Sequence, residues 1–174
     1  MVKILTLLVI CCSSSAFAVQ LVSDQTIQTQ KQLTTYHKLK NGIVVLLREE
    51  PNSDIVYASV NFSTGTRDVP GDQKVVPRLL FQTMPMAAAG YPKEKVFSTV
   101  EKYALELGCN AGIERSFCAM GTINDYWDKA LPLLAAVVKG PTLSPEDVKV
   151  QKGRLEADLK QATQDPSGYV NDIS

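Results

Sequence analysis

A tight turn at Asn41-Gly42 is the feature that most constrains the fold of this 174-residue chain. Asn-Gly favours the positive backbone angles of a two-residue turn, and such a turn makes its flanking segments pair as antiparallel strands. Residues 36–40 and 43–48 flank the turn, and residues 55–63 follow with alternating apolar and polar side chains. We therefore predict that the first part of the chain builds an antiparallel sheet.

Four later segments place apolar residues at helical spacing, and two strands separate the second helix from the third. The clearest helix start is Ser144-Pro145-Glu146-Asp147, which combines an N-cap residue, a proline at the first helical position and acids in the first turn. We predict an α+β fold, a mainly antiparallel sheet with helices packed on one face. The predicted helices are 74–85, 94–107 (ended by Gly108), 126–139 and 145–162, the two strands are 109–113 and 116–123, and the expected core side chains are Phe97, Val100, Trp127, Leu131 and Leu134.

Residues 1–18 have the pattern of a secretory signal peptide, with a short positive end, an apolar run and an Ala-x-Ala cleavage site at Ala16-Phe17-Ala18. The apolar run is too short for a permanent anchor, so we expect no membrane span in the mature chain. Residues 19–33 are polar and rich in Gln and Thr, which predicts a flexible leader. Residues 34–174 form the predicted domain of a protein exported to the periplasm or the cell exterior.

The charge balance argues against a polyanionic partner, because 18 Lys and Arg residues are matched by 18 Asp and Glu residues. We therefore expect no nucleic-acid partner. The sequence contains no phosphate-binding loop, no dinucleotide fingerprint and no nucleophile elbow. A hydrolase pair of Ser116 with His37, the single histidine, is therefore arbitrary.

Two cysteines, Cys109 and Cys118, follow the signal peptide. They fall on neighbouring strands of one predicted hairpin and come close to cross-strand register if the turn lies at Ile113-Glu114. In an exported protein they can form a disulfide bond. Two half-buried free thiols are the alternative, and a metal site shared with the distant histidine lacks ligand spacing.

Several short motifs occur in an order that is more specific than any one of them. They are Leu39-Lys40-Asn41-Gly42-Ile43, Gly65-Thr66-Arg67-Asp68, Gly108-Cys109-Asn110-Ala111, Val150–Glu156 and Gln164-Asp165-Pro166. In this order the chain, over residues 36–172, resembles the N-terminal half of a pitrilysin/insulinase-type zinc metallopeptidase domain. The resemblance implies a metallopeptidase-like half-domain that is truncated at its C-terminal end.

Family members carry zinc on a helix with the motif H-x-x-E-H, and the corresponding helix here holds no His and no Glu. The third ligand position, on the later helix, falls at Lys149, whose positive charge would repel zinc. We therefore expect no catalytic residues, no metal and no other cofactor. The degenerate motif positions are Arg78, Phe81 and Gln82 in one register, or Leu79, Gln82 and Thr83 in the other.

Acidic side chains near the later helix offer no replacement set of ligands. We interpret Glu146 and Asp147 as a helix cap and Glu156 and Asp158 as a solvated face. We interpret His37 as a sheet or surface residue rather than as a ligand.

Family enzymes bind peptides by adding a strand to a sheet edge, where main-chain hydrogen bonds supply affinity with little demand on sequence. Asn110, Ala111, Gly112 and Ile113 match the strand that contacts the peptide. The resemblance therefore implies a peptide-binding edge strand. An ordinary hairpin strand is the alternative.

The resemblance implies a non-catalytic, exported peptidase homologue. Such a chain would act as a structural or substrate-holding subunit beside a zinc-bearing partner, in a hetero-oligomer that binds peptides. One alternative is an independent peptide-binding or scaffold protein. Another is a zinc endopeptidase whose metal site the sequence does not reveal.

Overall fold

A computed structural model of the chain describes residues 21–29 and 32–164, with side chains from 34 to 161. The chain divides into two compact units between Asp54 and Ile55. The predicted signal peptide, residues 1–18, lies outside the described residues. The described helices include no segment with the length and hydrophobicity that a bilayer span requires.

The first unit contains a three-stranded antiparallel sheet in the order β1-β2-β3. The predicted turn at Asn41-Gly42 joins its last two strands. Gly42 has a φ of 87°, which glycine adopts without steric cost, and the backbone N–H of Ile43 donates a 3.1 Å hydrogen bond to the Asn41 side chain. The strands are β1 (Leu21–Thr29), β2 (Gln32–Leu39) and β3 (Val44–Arg48).

Strands β1 and β2 occupy much of the segment that the sequence predicted to be a flexible leader, residues 19–33. The sequence did not predict these strands, although the backbone there is extended and paired. The segment has little apolar periodicity, but its threonines are β-branched and favour extended backbone. Pairing along β2 then supplies the hydrogen bonds of the peptide groups.

The second unit contains four α-helices and a three-stranded antiparallel sheet in the order β4-β6-β5. The α+β class and the antiparallel pairing are confirmed. The described strands form two three-stranded sheets rather than the single predicted sheet. The elements are β4 (Ile55–Phe62), α1 (Val75–Thr83), α2 (Lys93–Lys102), β5 (Glu106–Ala111), β6 (Ser116–Ile123), α3 (Trp127–Lys139) and α4 (Pro145–Gln164).

Helices cover one face of the β4-β6-β5 sheet, as predicted, since α1 and α3 pack against β5 and β6. Side chains alternate along the central strand: Cys118 and Met120 are fully buried, whereas Phe117, on the opposite face, is exposed. We call that opposite face the outer face. It carries Tyr57, Ser59 and Asn61 of β4, Phe117, Ala119 and Gly121 of β6, and Glu106, Gly108 and Asn110 of β5.

The second helix is shorter than the predicted 94–107. It ends at Lys102, and Ala104 adopts a φ of 47°, the left-handed conformation that commonly follows a helix. Strand β5 begins two residues later, so Gly108 lies inside the strand and does not end the helix. Tyr103 and Leu107 continue the helical spacing in the sequence, and periodicity alone therefore concealed the turn.

The core differs from the prediction in two helices. Trp127 and Leu134 are buried as predicted, but Phe97 is 51% exposed and its neighbour Val96 is buried instead. In α3, Leu133 is fully buried, whereas Leu131 is only half-buried. Adjacent helical residues point about 100° apart, so a small error in the predicted orientation exchanges a core position for a surface position. Val100 is half-buried.

The first turn of α4 is tied to α2 through Asp147. The helix begins at Pro145 as predicted, and Ser144 caps it by accepting a 3.1 Å hydrogen bond from the backbone N–H of Asp147. The Asp147 carboxylate is buried, accepts a 2.6 Å hydrogen bond from the Ser144 hydroxyl and pairs with the Lys93 ammonium. The hydrogen bond from Lys93 has the largest effect on the pKa of this carboxyl, and the hydrogen bond from Ser144 the next largest. Together they hold the pKa below its ordinary value of 3.8, although burial acts to raise it.

Replacing Asp147 with asparagine is expected to lower the free energy of unfolding at neutral pH by about 1.5–3 kcal/mol, the range for hydrogen bonds to charged groups. Folding lowers the pKa, so the stabilisation is present above the ordinary pKa and is lost as the pH falls through the folded-state pKa. Urea denaturation of wild type and Asp147→Asn across that acidic window should show the two stabilities converging. Asp158→Asn, at an exposed position of α4, is the control. If the difference in free energy of unfolding between wild type and Asp147→Asn stayed constant with pH, the ionised Asp147 carboxylate would not be the source of the stabilisation.

Candidate functional site

Strand β5 forms one edge of the β4-β6-β5 sheet. In an antiparallel pair, opposite residues alternate between hydrogen-bonded pairs and closer, non-hydrogen-bonded pairs. The Cα atoms of Cys109 and Cys118 are opposite each other and 4.0 Å apart, which identifies a non-hydrogen-bonded pair. The peptide groups of Leu107, Cys109 and Ala111 therefore point away from β6, towards the edge. Among the described residues, no backbone hydrogen bond beyond the sheet occupies them.

Cys109 and Cys118 form a disulfide bond, which decides between the two alternatives that the sequence left open. The bond joins the edge strand to the central strand. The hairpin turn lies at Gly112–Arg115, around Ile113-Glu114 as predicted, and a 2.9 Å hydrogen bond from the N–H of Gly112 to the carbonyl of Arg115 closes it.

The loop after β4 is hydrogen-bonded to this hairpin turn. The backbone N–H groups of Thr66 and Arg67 each donate a 3.0 Å hydrogen bond, to the carbonyls of Gly112 and Ile113 respectively. We call this contact between residues 65–68 and 112–115 the clasp. Of the predicted peptide-binding residues, Asn110 and Ala111 lie in β5, whereas Gly112 and Ile113 lie in the turn, where the clasp uses their carbonyls.

Gly65 permits the clasp because the two backbones approach too closely for a side chain. A β-carbon at residue 65 would lie 2.2 Å from the carbonyl oxygen of Ile113. The Asp68 carboxylate accepts a 2.9 Å hydrogen bond from the N–H of Gly65, and the Arg67 guanidinium pairs with the exposed Glu114 carboxylate. The Gly-Thr-Arg-Asp motif is therefore a structural element that fixes the end of the edge strand.

Helix α1 contacts both β5 and α4, so the predicted motif positions lie beside the edge strand. The Phe81 ring packs edge-on against Phe62 of β4, with ring centroids 5.4 Å apart. Thr83 is buried and donates a 2.7 Å hydrogen bond to the carbonyl of Leu79. Arg78 is exposed and Gln82 is half-buried. The side chains on α1 therefore pack, bond within the helix or meet solvent.

These residues do not fit a catalytic zinc ion. Zinc takes imidazole, thiolate or carboxylate ligands, and the five α1 positions supply none of them. Lys149 of α4 is exposed and carries a positive charge. Within the part of the chain that the structure describes, no three His, Cys, Asp or Glu side chains gather to hold a metal ion.

The other acidic and basic groups of interest have structural contacts. Asp147 caps α4 and pairs with Lys93, as described above. The exposed Glu156 lies 3.9 Å from Lys152 one helical turn away. His37 belongs to β2, where its ring lies 3.1 Å from the Thr35 hydroxyl. The interpretation of these side chains as caps, surface or sheet residues agrees with these contacts.

The second unit is an α+β domain in which helices cover an antiparallel sheet. A sequence model of the insulinase family, peptidase family M16, matches residues 44–173, and the chain belongs to this family. The predicted resemblance is therefore confirmed. No curated protein matches the chain significantly.

Pitrilysin and PqqL are among the solved structures that share the fold. The crystal structure of pitrilysin superposes with a TM-score of 0.67 at 19% identity, over 80% of this chain and 16% of pitrilysin. The periplasmic protease PqqL from Escherichia coli superposes with a TM-score of 0.70 at 14% identity, over 95% of this chain and 18% of PqqL. The chain thus spans less than a fifth of either protein, and the likeness concerns the fold alone.

Proposed function

We propose that this chain is a non-catalytic, exported member of the insulinase family that holds peptides as a structural or substrate-holding subunit beside a zinc-bearing partner. One observation carries the proposal: every α1 and α4 position that matches a zinc ligand or the general base holds a side chain unsuited to that role. A hydrolytic zinc site needs three protein ligands and an open position for water.

Peptide binding by strand addition requires only the edge of the sheet. It does not depend on the zinc ligands that α1 and α4 lack. An extended peptide beside β5 would exchange hydrogen bonds with the outward peptide groups of Leu107, Cys109 and Ala111. Each bond contributes roughly 0.5–1.5 kcal/mol net, so the edge alone gives weak binding with little demand on peptide sequence. The clasp supports this role because it fixes the turn into which β5 leads.

N-methylated peptides test strand addition. Pairing uses the N–H groups of alternate peptide residues, so methylation of one alternate set should abolish binding, whereas methylation of the other set should leave it nearly unchanged. Fluorescence anisotropy with the mature chain measures both. Equal effects of the two methylation patterns would exclude pairing at an edge.

The isolated chain is expected to bind well below one equivalent of zinc and to leave a quenched fluorogenic peptide uncut, because weak partial ligation does not retain the metal. Metal analysis and peptide hydrolysis measure this. Cleavage should appear when a related chain with an intact H-x-x-E-H motif is added. Stoichiometric zinc with chelator-sensitive cleavage by this chain alone would contradict the proposal. Peptide binding without any effect on a zinc-bearing relative would instead favour an independent peptide-binding protein.

A further inference from the structure

The outer face of the β4-β6-β5 sheet carries a shallow groove with a volume of about 380 Å³ beside the edge strand. Its floor is made of small residues, among them Gly108 and Ala119. Two aromatic side chains rise on either side of the floor: Tyr57 of β4, which is 65% exposed, and Phe117 of β6, which is 36% exposed. The lining also includes a charged group, the carboxylate of Glu106.

The Glu106 carboxylate and the Tyr57 ring both approach Gly121, which lies between them on the central strand. Gly121 has no side chain there, and a β-carbon built on it would lie 3.3 Å from Glu106 Oε2 and 3.7 Å from Tyr57 Cδ2. A carboxylate and an aromatic ring therefore border the same part of the outer face, and both line the groove. Among the described residues, no Lys or Arg side chain forms an ion pair with Glu106.

Gly108 opens a path from the edge into this groove. It lies between Glu106 and Asn110 on the outer face of β5, and a β-carbon built on it would meet no atom within 4 Å. Neighbouring strands are about 4.8 Å apart, so a long side chain of a strand docked on β5 can cross one strand and reach the groove.

We propose that the groove binds a basic side chain, that of a Lys or Arg in an extended peptide paired with β5. The proposal rests on the proposed peptide-holding function and adds a side-chain preference to it. An ammonium or guanidinium entering across Gly108 would meet the Glu106 carboxylate and the faces of Tyr57 and Phe117, which attract cations. A carboxylate in the peptide would be repelled by Glu106. An apolar side chain would gain nothing from the charge of the Glu106 carboxylate.

Anisotropy titrations with the mature chain test this preference. The probe is a labelled peptide of about twelve residues with one central Arg, compared with the same peptide carrying citrulline, which has nearly the same shape without the charge. We expect the Arg peptide to bind roughly tenfold more tightly, with a preference that weakens as salt is added. Glu106→Gln should abolish the preference. Glu101→Gln, at an exposed carboxylate on α2, is the matched control and should retain it.

A second probe separates the groove from the edge. N-acetyl-arginine methylamide cannot pair as a strand, and at millimolar concentration it should shift the NMR signals of Tyr57 and Phe117 in wild type but not in Glu106→Gln. Equal binding of the Arg and citrulline peptides would overturn the proposed preference of the groove and leave the proposed strand addition intact. NMR shifts of Tyr57 and Phe117 without any binding of the longer peptides would support the groove as a site for a basic side chain and overturn the proposed strand addition. The absence of both responses would overturn both proposals.

Discussion

Replacing Gly65 with alanine is expected to lower the free energy of unfolding by about 3 kcal/mol or more, the upper end of the cost of overpacking. The added β-carbon would lie 2.2 Å from the carbonyl oxygen of Ile113 and 2.6 Å from that of Gly112. Both are backbone atoms, so no side-chain rotation can relieve the overlap. The loop must move off the hairpin turn, and the hydrogen bonds from Thr66 and Arg67 are then lost. Urea denaturation measures the loss.

Two variants control for this result. Gly153→Ala, on the surface of α4 with no atom near the added carbon, should stabilise the protein by about 0.5–1 kcal/mol, because alanine favours helix. Arg67→Ala removes only an exposed ion pair and should cost under about 1 kcal/mol. A Gly65→Ala variant as stable as wild type would show that the two backbones do not approach so closely.

Removing the disulfide with the double substitution Cys109→Ala and Cys118→Ala is expected to destabilise the protein by about 2–4 kcal/mol. The bond closes a loop with a sequence separation of nine residues, and it restricts the unfolded chain. Cys118 is also fully buried, so its loss removes packing beneath α1 and α3. Thermal unfolding with and without a reducing agent measures the effect.

The double variant is its own redox control. A reducing agent should lower the stability of wild type and leave that of the variant unchanged. Peptide mapping after alkylation under non-reducing conditions should find Cys109 joined to Cys118. Quantitative alkylation of both thiols in the exported protein would show that the free-thiol alternative is correct.

Local chemistry explains the parts of the fold that the sequence predicted well. Asn41-Gly42 specifies a turn because glycine takes the positive φ at no steric cost, and Ser144-Pro145 specifies a helix start because it supplies an acceptor and a preset φ. Both need only residues adjacent in sequence. Their positions were therefore predicted to within a residue.

The errors arise where pairing or packing with another segment decides the structure. The end of α2 at Lys102 depends on Ala104 turning left-handed so that β5 can pair with β6, which the helical spacing of the sequence does not show. The strands at residues 21–29 and 32–39 depend on pairing with each other. Phe97 is exposed, against the prediction, because the orientation of a helix is set by its packing partners.

The candidate site was predicted in outline and not in detail. The motif order located the edge strand, but only the Cys109–Cys118 spacing reveals which peptide groups point outward. The groove at Glu106, Tyr57 and Phe117 was missed because its members come from three strands and share no spacing in sequence. The glycine of the Gly-Thr-Arg-Asp motif was the one signal in the sequence for the clasp.

The Cys109–Cys118 bond also has a consequence for how consistently the edge is presented. Edge strands can slip along their neighbours, and a slip of one residue turns every side chain to the other face. A covalent link between opposite residues forbids such slippage of β5 on β6. Every folded copy of the molecule therefore offers a docking strand the same register. The peptide groups of Leu107, Cys109 and Ala111 always point to the edge, and Gly108 always lies beside the groove.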